Sequence, residues 1–137
     1  MIVTKTVEFP MGHRLKDHKG LCQFIHGHNY RLTVGVRGEL DELGMVVDFS
    51  ELKAAMLQFV KPLDHGFLFE ETDELSHAFH ALRSSSLPGL NRITDVPFSP
   101  TAENIAQWAF NELSKSGLNV AFVEVHESST TSARVDA

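Results

Sequence analysis

Cysteine is nearly absent from this 137-residue sequence, in which Cys22 is the only one. A single cysteine cannot form an intramolecular disulfide, so a disulfide-stabilised secreted scaffold is excluded. Residues 1–8 lack the long apolar stretch of a signal peptide, and no segment is long and apolar enough to span a bilayer. We therefore expect a protein of the reducing cytoplasm that has no membrane as a partner.

Positive charge is also scarce. The sequence has 12 lysines and arginines against 18 aspartates and glutamates, which gives a net charge of −6. Nucleic-acid binding needs a positive surface, so this balance argues against a nucleic-acid partner and favours a small molecule. We expect residues 1–137 to form one domain, because a chain of this length buries roughly two-thirds of its unfolded surface.

The stretch richest in chemical groups runs from Cys22 to Tyr30 and reads Cys-Gln-Phe-Ile-His-Gly-His-Asn-Tyr. His26 and His28 are two positions apart, and residues two apart in a strand point to the same face. The same parity continues through Tyr30 and three aliphatic residues, an alternation typical of a half-buried strand. A buried imidazole pair needs a partner, and zinc is the commonest metal partner of neutral histidines.

A third histidine lies on the apolar parity of the N-terminal segment. The residues that share this parity are Val3, Val7, Phe9, Met11 and His13. Three histidines without a fourth protein ligand leave an open coordination position, which is the mark of a catalytic rather than a structural zinc site. The sequence therefore predicts Zn²⁺ bound by His13, His26 and His28.

Periodicity and capping residues predict the order of the elements. Strands are expected at about 2–9 and 28–38, with 45–47 as a hairpin partner, and a last strand at 119–127. One helix begins at Asp48-Phe49-Ser50 and ends near residue 62, and a second begins at Ser99-Pro100-Thr101 and ends at Gly117. The tail, 128–137, is long enough for one more short strand.

This order predicts an α+β fold with an antiparallel four-stranded sheet and two helices on one face. The segment at about 70–98 has the least regular pattern and is expected to be an elaboration of that fold. A short helix there would place Leu75, Ala78, Phe79 and Leu82 on one face.

Basic residues gather in one loop. Arg14, Lys16 and Lys19 follow the proposed ligand His13 within a polar segment that ends at Gly20. The cluster is either a binding site for an anionic substrate or an ordinary solvated loop, and the sequence leaves both alternatives open.

Two carboxylates stand in unusual places. Asp64 directly precedes His65, which is either an acid–base pair facing a cleft or a surface loop. Glu127 continues the inward parity of Val123 and Val125, and a carboxylate at the end of an apolar row needs a partner. An arginine in a structural ion pair is the alternative to a ligand.

Together these residues carry a resemblance. The chain resembles the 6-pyruvoyl-tetrahydropterin synthase family over nearly its whole length apart from about 70–98. The motifs are Phe9…His13-Arg14-Leu15, Cys22…His26-Gly27-His28, Gly44-Met45-Val46-Val47-Asp48-Phe49…Leu52-Lys53, Leu63-Asp64-His65, Pro100-Thr101-Ala102-Glu103-Asn104 and Val123-Glu124-Val125-His126-Glu127.

The resemblance implies roles for these positions. The zinc ligands would be His13, His26 and His28, the catalytic thiol Cys22, the acid–base partners Asp64 and His65, the residue holding the pterin ring Glu127, and the lining of the ring pocket Thr101 and Glu103. It also implies a tunnelling fold, in which subunits join their sheets into a barrel, commonly as a homo-hexamer built from two trimers. The implied substrate is 7,8-dihydroneopterin triphosphate.

Three residues separate Cys22 from His26, a spacing similar to that of the carboxy-forming bacterial members. The resemblance then implies a carbon–carbon lyase of queuosine biosynthesis that yields 6-carboxy-5,6,7,8-tetrahydropterin, acetaldehyde and triphosphate. The alternative within the family is 6-pyruvoyl-tetrahydropterin synthase activity, by triphosphate elimination. From other classes, a zinc hydrolase and a non-catalytic pterin-binding protein are the alternatives.

Overall fold

The computed structural model describes all residues, 1–137. The chain forms, in order, β1 (Ile2–His13), β2 (His26–Arg37), α1 (Phe49–Val60), β3 (Gly66–Glu70), α2 (Ser76–Arg83), β4 (Ile93–Val96), α3 (Ala102–Leu113), β5 (Val120–His126) and β6 (Ser132–Asp136). Two short 3₁₀ turns, Leu21–Gln23 and Ser114–Ser116, precede β2 and follow α3.

All six strands belong to one sheet in the order β4-β3-β1-β2-β5-β6. Strands β1, β2, β5 and β6 pair antiparallel, whereas β3 pairs parallel with β1 and with β4. The α+β class is confirmed. The prediction of a four-stranded, purely antiparallel sheet with two helices is wrong, because the sheet has two more strands, β3 and β4, and the chain has a third helix, α2.

The short helix expected around Leu75–Leu82 is present as α2, Ser76–Arg83. Strands β3 and β4 were not predicted, and for β3 the reason is that it is covered on both faces. Leu68 is part of the main hydrophobic core. Phe67 and Phe69, which point the other way, pack on Phe79 of α2 with ring centroids 5.0 and 4.7 Å apart. A strand buried on both sides loses the alternation of apolar and polar residues, so it cannot be read from period two.

The predicted hairpin partner at 45–47 is also wrong. The Asp41 carboxylate accepts hydrogen bonds from the backbone N–H groups of Leu43 and Met45 and so closes a turn there. Val46 and Val47 pack against the core from this loop without joining the sheet.

Helices α1 and α3 begin at side-chain caps. Asp48 accepts from the backbone N–H of Ser50 at 2.7 Å, and Thr101 accepts from that of Asn104 at 3.3 Å. Their buried faces cover one side of the sheet and consist of Leu52, Met56, Phe59, Val60, Ile105, Ala106, Ala109 and Leu113. No helix of the chain has both the length and the hydropathy that a bilayer crossing requires.

The core-facing rows of β1 and β2 run to the same end of the sheet. On β1 the buried row is Phe9, Met11 and His13, and strand β1 extends beyond its predicted end near residue 9. On β2 the row runs from Val36 back through Tyr30 to the two histidines. The apolar core therefore ends in a cluster of imidazoles.

Candidate metal centre

Strand register brings the three histidines together. In the antiparallel pairing of β1 with β2, His13 lies opposite His26 and Met11 opposite His28. Opposite and diagonal residues on one face of such a pair are close neighbours. One ring nitrogen from each of His13, His26 and His28 lies within 4.8 Å of the other two, so the trio could hold a metal ion.

Hydrogen bonds to backbone carbonyls fix two of the rings. His13 Nδ1 lies 2.8 Å from the carbonyl oxygen of Pro100, and His26 Nδ1 lies 2.7 Å from that of Phe24. A carbonyl oxygen only accepts, so Nδ1 carries the proton in both rings and each neutral ring presents a bare lone pair at Nε2.

Those two Nε2 atoms face each other at 3.0 Å. With both rings neutral, no proton lies between them and the lone pairs repel. A cation between the nitrogens turns the repulsion into coordination, and ligands of a tetrahedral zinc at about 2.0–2.1 Å are roughly 3.3 Å apart. The donor set therefore fits a metal ion, and the carbonyl bonds are the outer-shell contacts that orient metal-bound histidines.

Burial keeps His13 neutral. Its side chain is 1% exposed, and burial lowers the pKa of His13 from 6.5 to about 4, with a further lowering from His26 and His28 and an opposing effect of the Pro100 carbonyl. An imidazole must be unprotonated to bind a metal, so His13 is ready as a ligand at neutral pH.

Tyr30 links the histidines to Glu127, and sequence reasoning missed this role. The fully buried Tyr30 hydroxyl lies 3.2 Å from His13 Nδ1 and donates to Glu127 Oε1 at 3.4 Å. Burial, and then the charge of Glu127, raises the pKa of Tyr30, so the hydroxyl stays a donor. The one signal in the sequence is a tyrosine in an otherwise aliphatic row, since a buried hydroxyl needs a partner.

Glu127 lies at the edge of the trio. Its Oε1 atom is 3.9 Å from His13 Nε2, and a quarter of its side chain is exposed. The carboxylate thus has one oxygen near Tyr30 and His13 and access to the space in front of the histidines.

Asp64 and His65 form a pair in the loop that enters β3. Asp64 Oδ1 accepts from His65 Nδ1 at 2.7 Å, and the backbone N–H of His65 donates to the Pro10 carbonyl. His65 has a φ of 58°, the only non-glycine residue in the left-handed region. With His28 it lines an open depression of about 350 Å³ beside β1, and the His65 side chain is largely exposed.

Cys22 lies in the 3₁₀ turn Leu21–Gln23 and is partly buried. Its carbonyl accepts from the backbone N–H of Leu15, which ties the turn to the chain just after His13. Its thiol is near enough to Tyr30 to contribute to the raised pKa of that hydroxyl.

Thr101 and Glu103 are placed less directly. Thr101 caps α3 with its side chain and follows Pro100, whose carbonyl holds His13. Glu103 is exposed in the first turn of α3 and makes no hydrogen bond to the histidines or to Glu127.

The basic cluster is largely neutralised within the chain. Arg14 pairs with Asp73 and Glu74 at 2.8 and 2.7 Å. Lys16 pairs with Asp17 at 2.7 Å, and only Lys19 remains exposed without a carboxylate partner. Arg14 therefore serves an internal contact and is not the free cation that an anionic substrate would need.

Relatives of this chain are named for pterin chemistry. The chain is 37% identical over 136 residues to 6-carboxy-5,6,7,8-tetrahydropterin synthase of Haemophilus influenzae, covering 94% of each chain. It is 35% identical over 139 residues to the Synechocystis protein of the same name, covering 97% of this chain and 91% of the relative.

Solved structures share the fold. An uncharacterised protein from Wolinella succinogenes superposes with a TM-score of 0.83 at 24% identity, covering 99% of this chain and 97% of the other. The 6-pyruvoyl tetrahydropterin synthase of Caenorhabditis elegans gives 0.72 at 22% identity, covering 100% and 95%.

The family model described as 6-pyruvoyl tetrahydropterin synthase matches residues 2–137, which includes the segment at 70–98 that the motifs left out. The resemblance drawn from the motifs is confirmed. The chain belongs to the 6-pyruvoyl tetrahydropterin synthase family.

Proposed function

We propose that the protein is a zinc-dependent carbon–carbon lyase of queuosine biosynthesis that converts 7,8-dihydroneopterin triphosphate to 6-carboxy-5,6,7,8-tetrahydropterin, acetaldehyde and triphosphate. The observation that carries the proposal is the pair of proton-free Nε2 atoms of His13 and His26, 3.0 Å apart, with His28 beside them. The names of the relatives, at 37% and 35% identity over nearly the whole chain, support the substrate and product.

The metal contributes electrostatics. Zn²⁺ held by three neutral imidazoles would offer an open position at which substrate oxygens become more acidic and developing negative charge is stabilised. All other steps fall to side chains of the protein.

Glu127 is proposed to hold the pterin ring. Its two oxygens can accept from the ring N–H and amino donors along one edge, a charge-assisted bidentate arrangement. The Tyr30 hydroxyl, at 3.4 Å, supports one of these oxygens. Glu127 Oε1 is 3.9 Å from His13 Nε2, so a pterin ring bound to Glu127 would have its own carbon side chain near the histidines.

Cys22 and His65 are proposed to move protons. The thiolate of Cys22 would take a proton from a carbon of the substrate side chain. This carbon neighbours the side-chain oxygens that the metal would bind. His65 would deliver or accept a proton on the other side, with its Nδ1–H held by Asp64 so that Nε2 is the working atom. Triphosphate leaves by elimination, and cleavage of a side-chain carbon–carbon bond releases acetaldehyde, with one water molecule consumed overall.

Incubation with 7,8-dihydroneopterin triphosphate, followed by identification of the products by mass, tests the proposal. The expected products are 6-carboxy-5,6,7,8-tetrahydropterin and acetaldehyde. A 6-pyruvoyl product would favour the other activity of the family, for which the description of the family model is the supporting observation. Pterin binding without turnover would identify a binding protein, and hydrolysis that survives loss of Cys22 would identify a zinc hydrolase.

We also propose a homo-hexamer of two trimers in the cytoplasm. Exposed apolar side chains next to the site support self-association, because Leu21, Phe24 and Ile25 are 81, 60 and 62% exposed. Light scattering after gel filtration should give six times the chain mass of 15.3 kDa. A monomer would contradict the proposal.

A further inference from the structure

Arg14 and the buried Asp73 form a partly buried ion pair that the proposed chemistry does not use. Asp73 is 2% exposed and, with His13, is one of two polar side chains in the buried set. Arg14 Nε donates to Asp73 Oδ2 at 2.8 Å. Burying the Asp73 carboxylate costs desolvation free energy that an apolar side chain would avoid, so the pair calls for a reason beyond stability.

The guanidinium group joins three parts of the chain. Arg14 directly follows His13 at the end of β1. Besides Asp73, its Nη1 donates to the carbonyl of Gln23 at 2.8 Å and its Nη2 to Glu74 at 2.7 Å. The planar fork of arginine can make all three contacts at once, whereas the point charge of lysine cannot.

The turn that Arg14 holds has little packing of its own, since Cys22 and Gln23 are only partly buried. None of the residues in Leu21–Gln23 is buried, and Leu21 is 81% exposed. Its position therefore depends on hydrogen bonds, of which two lead to the end of β1: Leu15 N–H to the Cys22 carbonyl, and Arg14 to the Gln23 carbonyl.

We propose that Arg14, anchored by Asp73, is a positioning residue that fixes the Leu21–Gln23 turn, and with it Cys22, relative to the histidine trio. The proposal rests on the proposed function in that Cys22 is taken to act on the substrate. It also gives the segment at 70–98 a role, because that segment supplies the buried anchor of the contact.

The chain offers a matched control. Arg83 pairs with Asp95 at 2.7 Å and donates to the Ile93 carbonyl, so it combines a carboxylate with a backbone carbonyl as Arg14 does. This pair joins α2 to β4 and touches neither β1 nor the Leu21–Gln23 turn.

Arg14→Gln and Arg83→Gln should be compared for zinc content, steady-state kinetics and amide hydrogen exchange. Arg14→Gln should keep its zinc and its KM and lose about 10- to 100-fold in kcat, the usual effect of a misplaced reacting group. The amides of Gln23 and Phe24 should exchange about tenfold faster once the charged hydrogen bond is gone. Arg83→Gln should change none of these quantities.

Two further variants sharpen the test. Asp73→Asn breaks the anchor while leaving the arginine in place, and it should reproduce the exchange and kcat effects if Arg14→Gln fails to fold. Arg14→Lys keeps the charge but not the fork, so it should not restore kcat. Wild-type behaviour of Arg14→Lys would overturn the proposal, because charge alone would then suffice.

Other outcomes also overturn it. A KM that rises as kcat falls would make Arg14 a substrate-binding residue, and unchanged exchange in the turn would remove its positioning role. If Arg14→Gln and Asp73→Asn both fail to fold while Arg83→Gln folds, the pair is only a fold element. The exchange measurement needs no turnover, so it decides the matter even if the proposed reaction is wrong.

Discussion

The two parts of the sheet, one formed by β1, β2, β5 and β6 and the other by β3 and β4, are built differently. Strands β1, β2, β5 and β6 pair antiparallel and bury one face under α1 and α3. Strands β3 and β4 pair parallel, and β3 is buried on both sides, with Leu68 in the main core and Phe69 on Phe79 of α2. The four antiparallel strands are called the antiparallel ribbon below, and β3 and β4 extend the sheet beyond β1.

This difference coincides with a division of chemical groups. All three histidines lie on the antiparallel ribbon, where strand pairing fixes their spacing. Asp64, His65 and Asp73 lie in the loops that enter and leave β3. A metal site needs fixed ligands, whereas proton transfer and positioning can come from loops held by a few hydrogen bonds. The following predictions test this division.

The largest effects are expected from two histidine substitutions, one on the antiparallel ribbon and one in the loop that enters β3. His26→Ala removes a proposed ligand from the ribbon and should abolish zinc retention and measurable turnover. His65→Ala should keep zinc and lose about 10² to 10⁴ in rate, the usual contribution of a proton-transfer group. Metal analysis of both purified variants separates the two roles, and full zinc content in His26→Ala would show that the ligand assignment is wrong.

Cys22→Ala should have the next largest effect. In the proposed site three histidines already supply the protein ligands of the zinc ion, so zinc and pterin binding should remain. The rate should fall by about 10² to 10⁴. Serine at this position is the matched control, since it keeps the size of the side chain but not an acidic thiol. Loss of zinc from the alanine variant would instead make Cys22 a ligand.

Glu127→Ala should weaken pterin binding by about 2 to 5 kcal/mol, the cost of truncating a charged hydrogen-bonding partner that the bound ring would bury. Zinc should stay, because Glu127 lies outside the trio. Calorimetry with a pterin that is not turned over measures the effect. Glu51→Ala, on an exposed position in the first turn of α1, is the control, and equal losses in the two variants would contradict the special role of Glu127.

The ribbon could be predicted because it has one buried face. Alternation placed His13 on the core-facing row of β1 and His26 and His28 on the core-facing row of β2, and the structure has them on those rows. Strand β3 could not be predicted in this way, since the run from Gly66 to Glu70 has apolar residues on both faces and so lacks the alternation of apolar and polar residues.

The outer contacts of the site were out of reach for a different reason. The Pro100 carbonyl meets His13 across 87 positions of the chain, and Arg14 meets Asp73 across 59. Such contacts depend on how α3 and the segment after β3 pack on the sheet, and no local pattern encodes that packing. The backbone carbonyl that sets the tautomer of His13 has no signature in the sequence at all.

The metal-free protein should lose stability in acid because of His13. Its pKa is 6.5 when unfolded and about 4 when folded, so the unfolded state binds the proton first. Well above pH 6.5 neither state is protonated and the group has no effect. As the pH falls from 6.5 to 4 the free energy of unfolding should drop by about 3 kcal/mol.

Urea unfolding of the chelator-treated protein at pH 7 and pH 4.5 measures this loss. His13→Gln should flatten the dependence, whereas His77→Gln, on an exposed position of α2, should not. The carboxylates with lowered pKa values, Asp48, Asp95 and Asp136, start from 3.8 and contribute mainly below this window. A pH dependence unaffected by His13→Gln would contradict the assignment.

Tyr30→Phe should have the smallest effect and tests whether the ribbon also organises Glu127. The ring would still stack on Phe9, with centroids 5.8 Å apart, so only the hydroxyl between His13 and Glu127 is lost. One hydrogen bond to a carboxylate at 3.4 Å is worth about 1 kcal/mol, so pterin affinity should fall roughly fivefold with zinc content unchanged. Combining Tyr30→Phe with Glu127→Ala in a double-mutant cycle isolates the coupling, because deleting the hydroxyl should cost nothing once its acceptor is gone. Additive losses would mean that Tyr30 supports the site through packing alone.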